Sequence, residues 1–247
     1  TIFPAVHYSM GGMWVDYDHM TNIPGLFAAG ECDYSQHGAN RLGANSLVSA
    51  IYGGMVAGPN AVEYVNGLEK SSEDLPSSIY DAELKKEQGA FDDIMNMDGT
   101  ENAYVIHKEL GEWMTDNVTV VRHNETLLKT DEKIQELMER WNNINMIDTA
   151  KWSNQAASFT RQLKGMLNLA RVITLGAYNR NESRGAHFKP EFPERNDEEF
   201  LKTTKAKYNS AKGGPDFDYE DVDISLIPPR KRDYSKKSSV AKQGADK

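Results

Sequence analysis

Two stretches of this 247-residue sequence combine residue types that could hold an anion. In Gly30-Glu31-Cys32-Asp33-Tyr34-Ser35-Gln36-His37-Gly38-Ala39-Asn40-Arg41-Leu42-Gly43-Ala44-Asn45-Ser46-Leu47, two Gly-Ala-Asn triplets bracket Arg41-Leu42. Small residues let the backbone pack against a bound group, while Arg41 offers a permanent, fork-shaped positive charge suited to a carboxylate or phosphate. Directly after it, Asn45 or Ser46 can cap a helix running from Leu47 to Gly58, whose free N–H groups and positive dipole end would favour developing negative charge. From the residues alone the stretch reads equally well as a tight turn with a surface arginine. In His7-Tyr8-Ser9-Met10-Gly11-Gly12, paired glycines after a histidine imply close approach of a ligand or another backbone. The bland alternative is a packed or surface histidine. Glu31 follows the strand-like run Leu26-Phe27-Ala28-Ala29 and could accept hydrogen bonds from a ribose, as in dinucleotide folds, or be an ordinary loop carboxylate. Cys32 near His37 could form a nucleophile pair only if the fold brings them together.

These residues need a scaffold. With 39% hydrophobic residues the chain has apolar material for one large or two small cores. Residues 1–68 are glycine-rich, with short apolar runs between turn signals, and predict short strands and loops followed by one helix. In that helix Ala50, Gly54, Ala57 and Gly58 form a small-residue face for close backbone packing. The polar stretch Glu69 to Ser78 has linker composition. From 79 to 181 the period becomes helical. Phe159, Leu163, Met166, Ala170, Ile173 and Ala177 define one apolar stripe on a helix of about 28 residues, and Ile134, Leu137, Met138, Trp141 and Ile144 define another. With weaker segments at about 80–97 and 101–115, these predict an antiparallel bundle of three or four helices, with Asp131-Glu132-Lys133 and Glu136 on a solvated face. Residues 182–234 mix turn-rich sequence with short strands, and 235–247 form a basic tail expected to be disordered. The expected fold class is α+β or α/β, with short strands and a glycine-rich helix first, then the helical bundle and a small irregular or β C-terminal region.

The formal charge is −9. Residues 228–247 carry seven Lys or Arg against two Asp, so residues 1–227 carry −14 and non-specific nucleic-acid binding is a poor reading. Neither a membrane-spanning run nor an export leader is evident. One cysteine allows no intrachain disulfide and no thiolate zinc site, and no metal-ligating motif, G-x-G-x-x-G or Walker A sequence is present. The opening Thr1-Ile2-Phe3-Pro4-Ala5-Val6 reads as though it started inside a folded element, so a C-terminal fragment is expected.

His7–Gly12, Gly30–Cys32, His37–Leu47 and Asn181-Glu182-Ser183-Arg184-Gly185-Ala186-His187, in that order, resemble the flavoprotein subunit of succinate dehydrogenase and fumarate reductase. The menaquinone-type bacterial form looks closest. The resemblance implies that His7 and Arg41 hold the carboxylates of succinate or fumarate, and that Glu31, Asn45, Ser46 and Leu47 contact FAD. It implies hydride exchange with flavin N5, electron transfer to an iron-sulfur subunit, and a cytochrome b membrane anchor that keeps the protein peripheral on the cytoplasmic face of the cell membrane. The glycine fingerprint, the histidine that covalently carries FAD, the capping domain and the proton-shuttling arginine lie upstream in that family, so this chain alone is expected neither to bind FAD tightly nor to oxidise succinate. Two alternatives are an L-aspartate oxidase-like flavoenzyme, disfavoured by Arg41-Leu42-Gly43-Ala44 and the long segment after His187, and a non-catalytic fragment that docks another subunit.

Overall fold

The computed structural model describes residues 7–230; the basic tail assigned to 235–247 lies outside the described residues. The strand-like runs of the glycine-rich segment form no sheet. They make single bridges, Met13 with Asp33 and Met20 with Phe27, because turns with positive φ at His19 (65°) and Gly25 (81°) interrupt them after a few residues. Glu31 sits in a one-turn 3-10 helix, Gly30–Cys32. The segment wraps against helix α1 (Asn45–Asn66).

Helix α1 departs from the sequence reading in three ways. It runs through Pro59 to Asn66 rather than ending at Gly58, and its last turns are held by Tyr64, packed edge-on against Phe27 with ring centroids 6.2 Å apart. Its buried small-residue face is Ser49, Gly53 and Ala57. A Cβ on Gly53 would lie 3.2 Å from both Ala29 Cβ and the buried His19 ring, whereas Gly54 and Gly58 face open space. Its cap residue is Ala44, in the left-handed conformation (φ 65°) with no side-chain cap, and Asn45 is the first helical residue.

The expected linker contains a 3-10 turn, Ser72–Asp74, closed by a Ser71 capping box. Helices α2 (Ser77–Met95), α3 (Ala103–Met114), α4 (Asn124–Trp141) and α5 (Gln155–Asn179) then pack around one core that includes Ile94, Ile106, Leu110, Ile134, Leu137, Leu163 and Leu167. The buried face of α5 is Thr160, Leu163, Leu167, Ala170, Thr174 and Ala177, rotated from the predicted stripe, and Ile173 is half exposed. Two threonines sit on that face, and Thr174 Oγ1 donates to Met114 Sδ. The Thr160 carbonyl accepts from the buried Trp141 Nε1 at 2.8 Å.

The charged stretch of α4 is more than a solvated face. Asp131 is buried and pairs with Arg171 of α5 at 2.8 Å. Lys133 lies 3.1 Å from Glu109 of α3, and Arg140 reaches Glu109 at 2.8 Å and Glu101 at 3.0 Å. Hydrogen bonds from Arg140, against an opposing effect of burial, hold the Glu109 carboxyl at about 2, below its ordinary 4.5. A carboxylate whose pKa falls on folding stabilises the fold above its unfolded pKa and loses that contribution as pH falls through the folded one. Acid melting should therefore steepen between pH 4.5 and about 2, and Glu109→Gln should lower stability at neutral pH while flattening that acid limb in a thermal-melt series.

After α5 come a short helix α6 (Asp197–Phe200) and an antiparallel hairpin, β1 (Lys202–Asn209) and β2 (Gly214–Asp221), with Lys202 opposite Asp221 and Asn209 opposite Gly214. The hairpin packs on α5. It also reaches the glycine-rich segment, where Glu220 accepts from Trp14 Nε1 at 2.9 Å and from the Tyr34 hydroxyl at 3.4 Å. The C-terminal region thus ties the bundle to the segment that carries Arg41.

Candidate functional site

Arg41 lies in the loop that leads into α1. Its guanidinium carbon stands 5.1 Å from the centre of the Tyr8 ring, its Nη1 donates to the Leu42 carbonyl at 3.1 Å, and its buried Nε has no hydrogen-bond partner. A ring beneath the guanidinium steadies the arm without consuming its N–H donors. Tyr8 is itself held edge-on to His37, centroids 5.2 Å apart, and its hydroxyl lies 3.5 Å from Ser49 Oγ. Ser49 donates to the Ser46 carbonyl at 2.8 Å, so its Oγ accepts from His37 Nε2 at 3.0 Å, which assigns the proton of His37 to Nε2.

The other end of the same motif meets Glu31, whose Oε1 accepts the Ser9 backbone N–H at 2.9 Å. Tyr8 and Ser9 therefore link the histidine motif to both Arg41 and Glu31, while His7 is exposed. Asn45, Ser46 and Leu47 make the first turn of α1, which no side chain caps, and its positive dipole end is free to face an electronegative group. Beyond it Leu47, Val48, Ile51 and Met55 are all well exposed apolar residues. A charge-seeking helix end beside an apolar surface suits a largely apolar group with an electronegative edge.

Cys32 and His37 do not pair. The thiol donates to the Ala29 carbonyl at 3.3 Å, and the imidazole is engaged with Ser49, so the nucleophile reading falls. The fourth motif also meets the others: the Ala186 N–H donates to the Ala39 carbonyl at 2.9 Å.

A family model described as the C-terminal part of the fumarate reductase flavoprotein matches residues 107–234, and an FAD-binding domain model matches residues 1–47. The chain belongs to the succinate dehydrogenase and fumarate reductase flavoprotein family. It is 77% identical over 241 residues to the succinate dehydrogenase flavoprotein subunit of Bacillus subtilis (strain 168), covering 98% of this chain and 41% of that one. The fumarate reductase flavoprotein subunit of Escherichia coli (strain K12) is 36% identical over 241 residues, covering 96% of this chain and 39% of its own length. Among solved structures, an E. coli quinol fumarate reductase superposes with a TM-score of 0.85 at 36% identity, over 91% of this chain and 38% of that chain. The chain thus spans about two fifths of the length of the curated relatives it matches and corresponds to the C-terminal portion of the flavoprotein.

FAD is the cofactor of this family, and the residues present fit it on the structure's own terms: the first turn of α1 carries no side-chain cap, and Leu47, Val48, Ile51 and Met55 along that helix are exposed apolar residues. Motif reading singles out His7, Arg41, Glu31 and the start of α1. It passes over the Tyr8–His37–Ser49 support and the Ala186–Ala39 contact, because those residues are 12 to 147 positions apart in sequence and nothing local marks them as partners.

Proposed function

We propose that this chain forms part of the dicarboxylate and flavin site of a succinate:quinone oxidoreductase flavoprotein that interconverts succinate and fumarate. The observation that carries the proposal is Arg41: a guanidinium steadied by Tyr8, with spare donors, in the loop just before an uncapped helix N-terminus. Arg41, together with the exposed His7, would bind the two carboxylates of the substrate through charge-assisted hydrogen bonds. Glu31 and the first turn of α1, Asn45 to Leu47, would hold FAD, with the helix dipole favouring negative charge on it. Bound FAD supplies the hydride acceptor or donor.

The role of the chain's own residues is to hold the substrate still and keep its charges matched, which lowers the barrier by positioning and electrostatics. Electrons would pass to an iron-sulfur subunit and a cytochrome b membrane anchor, keeping the flavoprotein peripheral on the cytoplasmic side of the cell membrane. Two observations agree with a peripheral subunit: no helix among the described residues is long and apolar enough to cross a membrane, and a solved structural neighbour is a quinol-fumarate reductase with menaquinol molecules. The reading is tested in a flavoprotein of the relatives' full length that contains this chain, by comparing steady-state oxidation of succinate with that of L-aspartate. Succinate oxidation with no L-aspartate oxidation is expected. The reverse preference would assign the protein to L-aspartate oxidase chemistry.

A further inference from the structure

Between residues 38 and 45 the backbone of the Arg41 loop has few restraints of its own, although the side chains of His37 and Arg41 are braced by Ser49 and Tyr8. Its internal backbone hydrogen bonds are local, from Asn40 to the His37 carbonyl and from Asn45 to the Leu42 carbonyl, and Gly38, Ala39, Asn40, Leu42 and Gly43 are all exposed. The long-range backbone bond it receives comes from Ala186, at the tip of a two-residue hairpin in which Arg184 and His187 exchange both backbone bonds, at 2.8 and 3.0 Å. The hairpin itself does not use the Ala186 N–H. Gly185 beside it has φ +61°, and a Cβ there would lie 2.3 Å from the Ala39 carbonyl oxygen, so hairpin and loop meet backbone to backbone.

The hairpin is fixed at its root. The fully buried Glu182 accepts from Arg184 Nε at 2.8 Å and from Arg180 Nε at 2.9 Å, and Arg184 also reaches Asp197 at 2.7 Å. The His187 ring sits between the Arg180 carbonyl, 2.9 Å from Nε2, and Arg122 Nη1, 2.5 Å from Nδ1. Since the guanidinium can only donate, Nδ1 accepts and Nε2–H donates, which leaves the ring neutral. Arg122 is anchored in turn, its Nε donating to the Val118 carbonyl. A block of ion pairs and hydrogen bonds between the end of α5 and the α3–α4 connection therefore ends in one N–H directed at the exposed loop.

We infer that the Gly185-Ala186 tip is a positioning element for Arg41: it sets where the loop stands, and through the loop where the guanidinium meets a substrate carboxylate. The inference rests on the dicarboxylate reading of Arg41 for its functional consequence, but the mechanical part can be read without it. In the full-length flavoprotein, Gly185→Ala places a Cβ against the Ala39 backbone, while Gly213→Ala imposes the same left-handed strain (φ +60°) where nothing lies within 4 Å. Gly185→Ala should speed amide hydrogen exchange across residues 39–47 by on the order of tenfold and raise KM for succinate by a similar factor with a smaller change in kcat, and Gly213→Ala should do neither. His187→Ala, which loosens the root rather than the tip, should move both readouts in the same direction, and His187→Gln, which keeps an acceptor and a donor, should restore them.

Exchange within about twofold of the parent in Gly185→Ala, or an equal rise in Gly213→Ala, would overturn the inference. So would faster exchange with an unchanged KM, since the loop would then move without carrying Arg41 out of place. A parent enzyme that oxidises no succinate would sink the functional reading instead, and the exchange comparison would still decide the positioning.

Discussion

Arg41→Ala, made in the full-length flavoprotein, is expected to lower kcat/KM for succinate by on the order of 10²- to 10³-fold while FAD content stays at the parental level. The expectation follows from what the side chain lacks as much as from what it does. Arg41 spends one donor on the Leu42 carbonyl and rests over Tyr8, and its buried Nε is unpartnered. A carboxylate that binds through the remaining terminal N–H groups of the guanidinium gains charge-assisted hydrogen bonds without displacing an internal partner. Truncation leaves the substrate carboxylate without its fork, and a charge stripped of water but unpaired carries most of the loss. Arg41→Lys keeps the charge and loses the planar pair of donors, so it should fall between the parent and the alanine variant. Steady-state kinetics with flavin quantified in the same samples checks this, and a change of less than about tenfold in Arg41→Ala would remove Arg41 from substrate binding.

The second large effect concerns stability. Glu182→Ala is expected to destabilise the folded protein by about 3–5 kcal/mol, the cost of leaving buried partners uncompensated. The Glu182 side chain is fully enclosed and accepts from Arg180, from both Nε and Nη2 of Arg184, and from the Asn196 backbone N–H at 2.9 Å. Burial alone would push its carboxyl up, but the hydrogen bonds from Arg184, Asn196 and Arg180 outweigh it and hold it below the ordinary value. Without the carboxylate, Arg180 loses its anionic partner and Arg184 keeps only Asp197. For a unit of this size the loss corresponds to a fall in Tm of roughly 10 °C, read by calorimetry. Because Glu182 also anchors the Gly185-Ala186 hairpin, the same variant should loosen the Arg41 loop. A Tm within about 2 °C of the parent would show that the cluster relaxes or hydrates at little cost.

What the sequence makes legible follows from range. Helices α4 and α5 announce themselves because apolar spacing is a local signal, and the segments before them are found for the same reason. The exact buried face of α5 is hidden, since Thr160 and Thr174 lie on it and a count of apolar residues skips them. Asp131 reads as a surface charge because its partner, Arg171, is 40 residues away on another helix. The start of α1 is mispredicted by its own composition: Asn45 and Ser46 are good capping residues, yet Ala44 takes the left-handed cap position and leaves the helix end open.

The candidate site shows the same division. Arg41, Glu31 and the α1 start are visible as motifs, because charge and small residues cluster within eighteen positions. Their support is not visible. Tyr8 lies beneath Arg41 across 33 residues, and Ala186 reaches Ala39 across 147. Only the folded chain brings these together.

The central claim, that Arg41 binds a dicarboxylate beside a flavin held in part by this chain, is tested most directly by anaerobic titration of the FAD-loaded full-length flavoprotein with succinate. The parent protein should show succinate-dependent bleaching of its flavin absorbance band, and Arg41→Ala, with the same FAD content, should require far more succinate to bleach or not bleach at all. Bleaching by L-aspartate but not succinate in the parent, or undiminished bleaching in Arg41→Ala, would contradict the account.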